Sequence, residues 1–245
     1  MEGSKISRSY SEKGRLNVPV VIMAGGKGTR LYPYTKILPK PLILIGDIPI
    51  VERIINKFND IGCSEYYLTV NYKKDMIKSY FDEIEKAYTI NHIVEDRPLG
   101  TGGGLYLLRN KINKTFFLSN CDVLIDADYK EIYKYHKENN NIITMICAKK
   151  NLIIPYGVVN LNDKGKIDSI VEKPEYTFLT NTGMYVVEAE VLDKIEVNVF
   201  LDFPTLIEKL RCEGKSVGVY SISEDCWMDM GQVDEMKKMI DRLEG

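Results

Sequence analysis

Apolar positions along the chain switch between two periodicities. Val18 to Met23 is an unbroken apolar run, the pattern of a strand buried on both faces of a parallel sheet. Between Ile50 and Ile61 the apolar residues fall at 50, 51, 54, 55, 58 and 61, which is a helical stripe. The alternation continues and predicts a strand over 66–70, a helix over 74–87, a strand over 89–94, a helix over 103–110 and a strand over 115–119. A helix over 129–139 and a strand over 142–148 follow. Residues 157–161 and 166–171 then flank Asn162-Asp163-Lys164-Gly165, a turn composition that predicts a β-hairpin. A strand over 184–187, a helix over 203–212, a strand over 217–220 and an amphipathic helix over 233–243 complete the pattern. The βαβ rhythm makes the fold class α/β: one doubly wound, mostly parallel mixed sheet of Rossmann-like type, with a small β-hairpin part. Ligands of such sheets are expected at the carboxyl ends of the strands.

Residues 1–17 are polar, serine-rich and without periodicity, and read as a flexible tail or linker remnant ahead of a single domain at 18–245. The 245 residues are 44% hydrophobic and 28% charged, and no apolar run approaches the roughly eighteen residues of a membrane span. A formal charge of −2 argues against a broad nucleic-acid surface, so basic residues are expected to serve a local anion. Five cysteines without a Cys-x-x-Cys pair, and only two histidines, argue against a zinc site or a disulfide framework. With no leader ahead of the domain, these thiols point to the cytoplasm. Exposed helix faces leave room for a homo-oligomer.

The first predicted strand runs into Ala24-Gly25-Gly26-Lys27-Gly28-Thr29-Arg30-Leu31. Gly25, Gly26 and Gly28 allow φ > 0 and close approach of backbone N–H groups to an anion. Arg30 and the proline-bracketed Lys40 add fixed positive charge, a combination suited to a nucleoside triphosphate. A Walker A loop fails here, because Val21 stands where its first glycine belongs and Gly28 where Ser or Thr should follow the lysine. A dinucleotide fingerprint fails at Leu31, too large for its third small residue. A plain connecting turn would not need the arginine.

Gly25-Gly26-Lys27-Gly28-Thr29-Arg30-Leu31, with Pro39-Lys40-Pro41-Leu42 downstream, resembles the signature of sugar-1-phosphate nucleotidyltransferases. The resemblance runs from about residue 18 to 243 and is strongest to mannose-1-phosphate guanylyltransferase-like members. Some of these carry a pair of cystathionine-β-synthase-type modules ahead of the catalytic domain, so the polar N-terminus can be the stub of such a regulatory connection. The implied reaction joins an NTP and a sugar 1-phosphate into an NDP-sugar and pyrophosphate, with Mg²⁺ as cofactor. By the same resemblance Ala24, Gly25, Gly26, Gly28 and Thr29 hold the nucleotide, and Arg30 and Lys40 act at the triphosphate. Asp122 matches the first metal aspartate, although Cys121 stands where the family has glycine, and Asp229 matches the second. An N-cap for the terminal helix is the rival role for Asp229. Glu172-Lys173-Pro174 resembles the element whose glutamate binds sugar hydroxyls and whose lysine meets the sugar phosphate, against a rival reading as an exposed salt bridge. Asn181-Thr182-Gly183 and Gly157 resemble sugar contacts. Pro98-Leu99-Gly100-Thr101-Gly102-Gly103 resembles the segment beside the nucleobase, so Gly100 and Thr101 join the nucleotide site.

Glu95 precedes that segment. A carboxylate accepts both the N1–H and the amino hydrogens of guanine, whereas uracil and thymine offer one N–H on that edge, which favours GTP. Asp126-Ala127-Asp128 has a rival meaning as the metal-binding Asp-x-Asp of a glycosyltransferase, with Asp128 alternatively a helix cap. His136 is expected on a solvated helix face, and Cys121 and Cys147 in the core.

Overall fold

The computed structural model describes residues 14–244, the side chain of Glu244 excepted; residues 1–13, most of the expected tail, lie outside it. In chain order the elements are β1 (Val20–Met23), β2 (Leu44–Ile45), β3 (Ile48–Pro49), α1 (Ile50–Asp60), β4 (Glu65–Val70), α2 (Lys74–Glu83), β5 (Thr89–Val94), β6 (Phe116–Asn120) and β7 (Val123–Ile125). Then come α3 (Tyr129–Glu138), β8 (Ile143–Ile153), β9 (Gly157–Leu161), β10 (Ile167–Glu172), β11 (Glu175–Val187), α4 (Phe203–Cys212), β12 (Val217–Ser223), β13 (Trp227–Asp229) and α5 (Val233–Glu244). The central sheet has seven strands in the order β12-β8-β11-β6-β1-β4-β5. Every pairing in it is parallel except those of β11, which runs antiparallel to both β6 and β8.

The strand at 18–23 is buried on both faces, as its unbroken apolar run requires. Val20 and Ile22 belong to a core that includes residues of α1, α2, α3 and α5, while Val21 belongs to a second core that includes α4. Phe58 anchors the first core, with its ring centroid 5.1 Å from that of Phe117 and 4.8 Å from that of Tyr129. The packed chain begins earlier than the apolar run indicates. Leu16 N–H donates to the Ile61 carbonyl at 2.8 Å, and its side chain packs against the first core.

Three elements differ from the periodicity. Residues 103–108 form a 3-10 helix because Gly102 N–H and Gly103 N–H are both drawn to the Leu201 carbonyl. Strands β8 and β11 run far past the expected 142–148 and 184–187, continuing as a two-stranded ribbon whose side chains are exposed.

His136 is fully buried rather than solvated. It continues the stripe Tyr129, Ile132, Tyr133 of α3 at helical spacing, a placement its polarity disguised. Its Nδ1 lies 2.8 Å from Thr144 Oγ1 and its Nε2 3.2 Å from Glu188 Oε1. Burial holds the imidazole below its ordinary pKa, against the raising effect of Glu188. The unfolded chain therefore takes up the proton first, and the contribution of His136 to stability should fall as pH drops through about 6.5. Urea midpoints for the wild type and His136→Gln across that range check this, the difference between the two profiles carrying that dependence.

Candidate active site

Each chemically distinctive loop leaves the carboxyl end of a central strand. Gly25 follows β1, Asn71 follows β4, Glu95 follows β5, and Asp122 follows β6. These loops meet around a cavity of about 420 Å³ lined by Gly25, Gly26, Gly28, Thr29, Arg30, Lys40, Glu95, Gly100, Thr101 and Asp122. Ala24 is buried directly behind it, its N–H donating to the Thr69 carbonyl at 2.9 Å.

Of the three loop glycines only Gly28 takes positive φ, at 64°, correcting the expectation for the other two. Its carbonyl accepts from Thr35 Oγ1 at 3.0 Å. At Gly25 a Cβ would lie 3.0 Å from Glu95 Oε2, so a side chain there would press on that carboxylate. The return loop is held by Lys73, whose ammonium donates to the carbonyls of Thr35, Lys36 and Ile37 at 3.2, 2.7 and 2.7 Å. Lys73→Met should loosen the span between Arg30 and Lys40. Proteolytic nicking between residues 34 and 38, faster in the variant than in the wild type, would check this.

The acidic centre is built by a short ribbon. Strands β7 and β13 pair antiparallel with Asp229 opposite Val123, and Met230 N–H donates to the Asp122 carbonyl at 2.8 Å. This clasp places the Asp229 carboxylate where it feels the charge of Asp122. Burial foremost, then the charge of Asp122, raises the Asp229 carboxyl above its ordinary pKa, with Lys40 and Arg30 opposing. Lys40 Nζ donates to Asp122 Oδ2, and both side chains are nearly buried. Asp229 lies outside the terminal helix, which starts at Val233, so it does not cap it.

A second cavity of about 230 Å³ adjoins the first and shares Met23, Arg30, Thr101, Asn120 and Asp122 with it. Its remaining wall includes Asn181, Gly183, Trp227 and Asp229. A register shift between Asn181 and Tyr185 in β11 aims this stretch inward: Asn181 Oδ1 accepts from Gly183 N–H at 2.9 Å, and Asn181 Nδ2 donates to Tyr185 Oη at 2.7 Å. The indole N–H of Trp227 is buried without an acceptor among the described residues. Gly157, Glu172 and Lys173 line neither cavity. They lie at the root of the β9–β10 hairpin, where Glu172 pairs with Gly157 and Lys173 takes a φ of 46°.

Asp126 and Asp128 line neither cavity as well. Lys57 Nζ donates to Asp126 Oδ1 at 2.9 Å, and Asp128 caps α3 by accepting from the N–H groups of Lys130 and Glu131. The Asp-x-Asp reading is thereby replaced by a surface ion pair and a helix cap. Cys121 and Cys147 are buried, and burial pushes their thiols up to about 12 and about 11 respectively.

Several residues of the site were not singled out in the sequence. Phe200, 63% exposed, lines the first cavity from a strap fixed by Leu201 N–H to the Leu99 carbonyl at 2.9 Å. Arg97 Nε ties the same strap down by donating to Asn198 Oδ1 at 3.2 Å. Gly104 leaves room for Glu95: a Cβ there would lie 1.7 Å from Oε1. Asn120, Trp227 and Lys73 join them. Only the exposed aromatic beside Asp202-Phe203-Pro204 carried a local signal, a large apolar residue in a loop.

A doubly wound sheet whose strand ends gather a glycine turn, paired cations and two carboxylates defines a nucleotide-handling transferase. A family model described as "Nucleotidyl transferase" matches residues 19–244, and the chain belongs to that family. It is 34% identical over 226 residues to a mannose-1-phosphate guanyltransferase of Saccharomyces cerevisiae, covering 86% of this chain and 61% of that protein. The same identity and coverage of this chain hold for a mannose-1-phosphate guanyltransferase of Candida albicans, of which 60% is covered. The chain thus spans about three-fifths of the length of the curated relatives it matches. In fold it resembles HddC from Yersinia pseudotuberculosis complexed with GMP-PN, with a TM-score of 0.71, 24% identity, and coverage of 93% of this chain and 100% of that one. No helix among the described residues is long and apolar enough to cross a membrane.

Proposed function

We propose that the chain transfers a nucleoside monophosphate from an NTP, GTP by preference, to a sugar 1-phosphate, giving an NDP-sugar and pyrophosphate. The observation that carries this reading is the pair of adjoining cavities with Arg30 and Asp122 in their common wall. One cavity is bounded by a glycine loop, a buried carboxylate and an aromatic side chain, which suits a nucleotide. The other is bounded by Asn181, Gly183 and the unpaired Trp227 N–H, which suits a small polyhydroxylated ring. In the reaction a phosphate oxygen of the sugar 1-phosphate attacks the α-phosphorus, and the bond to the bridging β-phosphate oxygen breaks. Pyrophosphate leaves with that electron pair, and no covalent enzyme nucleophile is needed.

The backbone around Ala24, Gly25, Gly26, Gly28 and Thr29 binds the phosphates, while Arg30 and Lys40 offset the growing negative charge. Glu95, with Gly100 and Thr101 beside it, reads the base, and Phe200 offers it a stacking face. Asp122 and Asp229 fit a divalent cation, because a cation would offset both the burial and the neighbouring Asp122 charge that raise Asp229. Mg²⁺ held there would neutralise phosphate oxygens. By the family resemblance Glu172 and Gly157 are assigned to the sugar ring and Lys173 to its phosphate, although they line neither cavity. The names of the curated relatives make GTP and mannose 1-phosphate the first pair to try.

The test is a matrix of four nucleoside triphosphates against mannose, glucose, glucosamine and heptose 1-phosphates with Mg²⁺, read by pyrophosphate release and product mass. A GDP-sugar should dominate. Tight GTP binding with no product from any pair would instead make the chain a nucleotide-sensing domain.

A further inference from the structure

The strap that brings Phe200 into the wall of the first cavity, residues 196–202, has little packing of its own. Val197 is 62% exposed, Val199 44% and Phe200 63%. An apolar segment left in water has no core to select one conformation, so its shape depends on the hydrogen bonds that anchor its backbone. Two anchors flank Phe200. On one side Leu201 N–H donates to the Leu99 carbonyl, while the Leu201 carbonyl accepts from Gly102 N–H at 2.8 Å and Gly103 N–H at 3.0 Å. On the other, Arg97 Nε donates to Asn198 Oδ1 at 3.2 Å and Arg97 Nη2 to the Asn198 carbonyl. Among the described residues, the hydrogen bonds that reach residues 196–200 all come from Arg97. They hold Asn198 at a φ of 58°, a left-handed conformation that asparagine tolerates better than most residues.

The strap is seated on glycine. A Cβ at Gly103 would lie 2.4 Å from the Val199 carbonyl oxygen, and one at Gly100 would lie 2.6 Å from that of Leu201. Backbone therefore lies directly on backbone, and no side chain could turn aside to relieve either contact. Glu95, which is buried, and Arg97, which is exposed, stand two positions apart in the loop that follows β5. One short loop thus carries both the carboxylate of the first cavity and the guanidinium that fixes the strap beside it.

We propose that Arg97 is a positioning residue for the nucleotide: through Asn198 it holds the strap on the glycine run and so sets Phe200 against the face of the base. This rests on the first cavity taking a nucleotide. Arg97 itself lines neither cavity, and its fork of donors is turned to Asn198, so its effect runs through the strap. Ordering Phe200 in advance removes that entropic cost from the binding step. The consequence is a division of labour. An aromatic ring stacks on any base, because every base has a π-face, whereas a carboxylate distinguishes one hydrogen-bonding edge from another. Arg97 and Phe200 supply affinity common to all nucleoside triphosphates, and Glu95 supplies the discrimination.

Phe200→Trp puts a reporter on the strap. The chain's one tryptophan, Trp227, lies in the wall of the second cavity, so the emission that Phe200→Trp adds to the wild type reports the strap alone. GTP and ITP should each quench that added emission by stacking. Adding Arg97→Met should remove at least about half of the quench at saturating nucleotide and raise Kd for GTP and for ITP by the same factor, roughly tenfold, with unchanged far-UV circular dichroism. Arg97→Lys keeps the positive charge but loses the two-pronged contact, and it should behave like Arg97→Met. Full affinity and quench in Arg97→Lys would assign the effect to charge and overturn the proposal. Unchanged quench and Kd in Arg97→Met, or a loss confined to GTP, would overturn it too while leaving the nucleotide site in place. A wild-type chain that binds neither GTP nor ITP would overturn the nucleotide reading, and this proposal with it.

Discussion

Replacing Asp122 with Asn is expected to lower kcat by about 10³-fold while leaving the thermal unfolding midpoint within a few degrees of wild type. The carboxylate lies in the wall between the two cavities, accepts the Lys40 ammonium, and stands close enough to Asp229 to raise its pKa. Losing its charge removes one of two candidate cation ligands and frees Lys40 from its partner. Lys40→Ala should cost roughly 10²–10³-fold, since it removes a cation from the triphosphate and leaves Asp122 and Asp229 to repel each other. Because the two side chains act as one unit, the double variant should be little worse than the poorer single one. Rapid-quench measurement of the chemical step checks the magnitudes. Turnover near wild type in either single variant would remove the assignment.

The glycine loop, the cations and the aspartates were legible in the sequence because each is a local motif at the end of an apolar strand. Asp122 and Asp229, more than one hundred positions apart, could be paired in advance only through the family resemblance. The β7–β13 clasp that joins them is three residues long on each side and has no periodicity to read. The length of the β8–β11 ribbon was hidden for a related reason: residues 149–156 and 173–180 mix lysines, prolines and apolar residues, so neither alternation nor a continuous run marks them. His136 shows the opposite failure, where residue type outweighed a helical spacing that placed it inside. Gly104 and Lys73 serve the site through what stands next to them in space, and their own neighbours in sequence say nothing of it.

Glu95→Gln is expected to raise KM for GTP by about 10–100-fold and to abolish the advantage of GTP over ITP, which lacks the guanine amino group. The Glu95 carboxyl is 7% exposed, and burial pushes it up to about 7. A base presenting two N–H donors needs the ionised form, so binding must expel a proton wherever the free carboxyl is protonated. Below about pH 7 the affinity for GTP should therefore fall up to tenfold per pH unit, and above it the affinity should level off. The same raised pKa has a mirrored effect on folding: the cost of burying the charge is absent below the ordinary carboxylate range and grows as pH rises through 7. Glu95→Gln should flatten both profiles, losing nucleotide affinity but gaining stability at alkaline pH. Gly104→Ala separates position from charge, because its Cβ would intrude on Oε1 without lining the cavity. It should raise KM for GTP much as Glu95→Gln does, and its pH profile should shift toward lower pH as the displaced carboxyl meets water. Titration of each protein with GTP and ITP between pH 5.5 and 8.5 decides the matter, and a pH-independent GTP preference surviving in Glu95→Gln would assign base reading to another group.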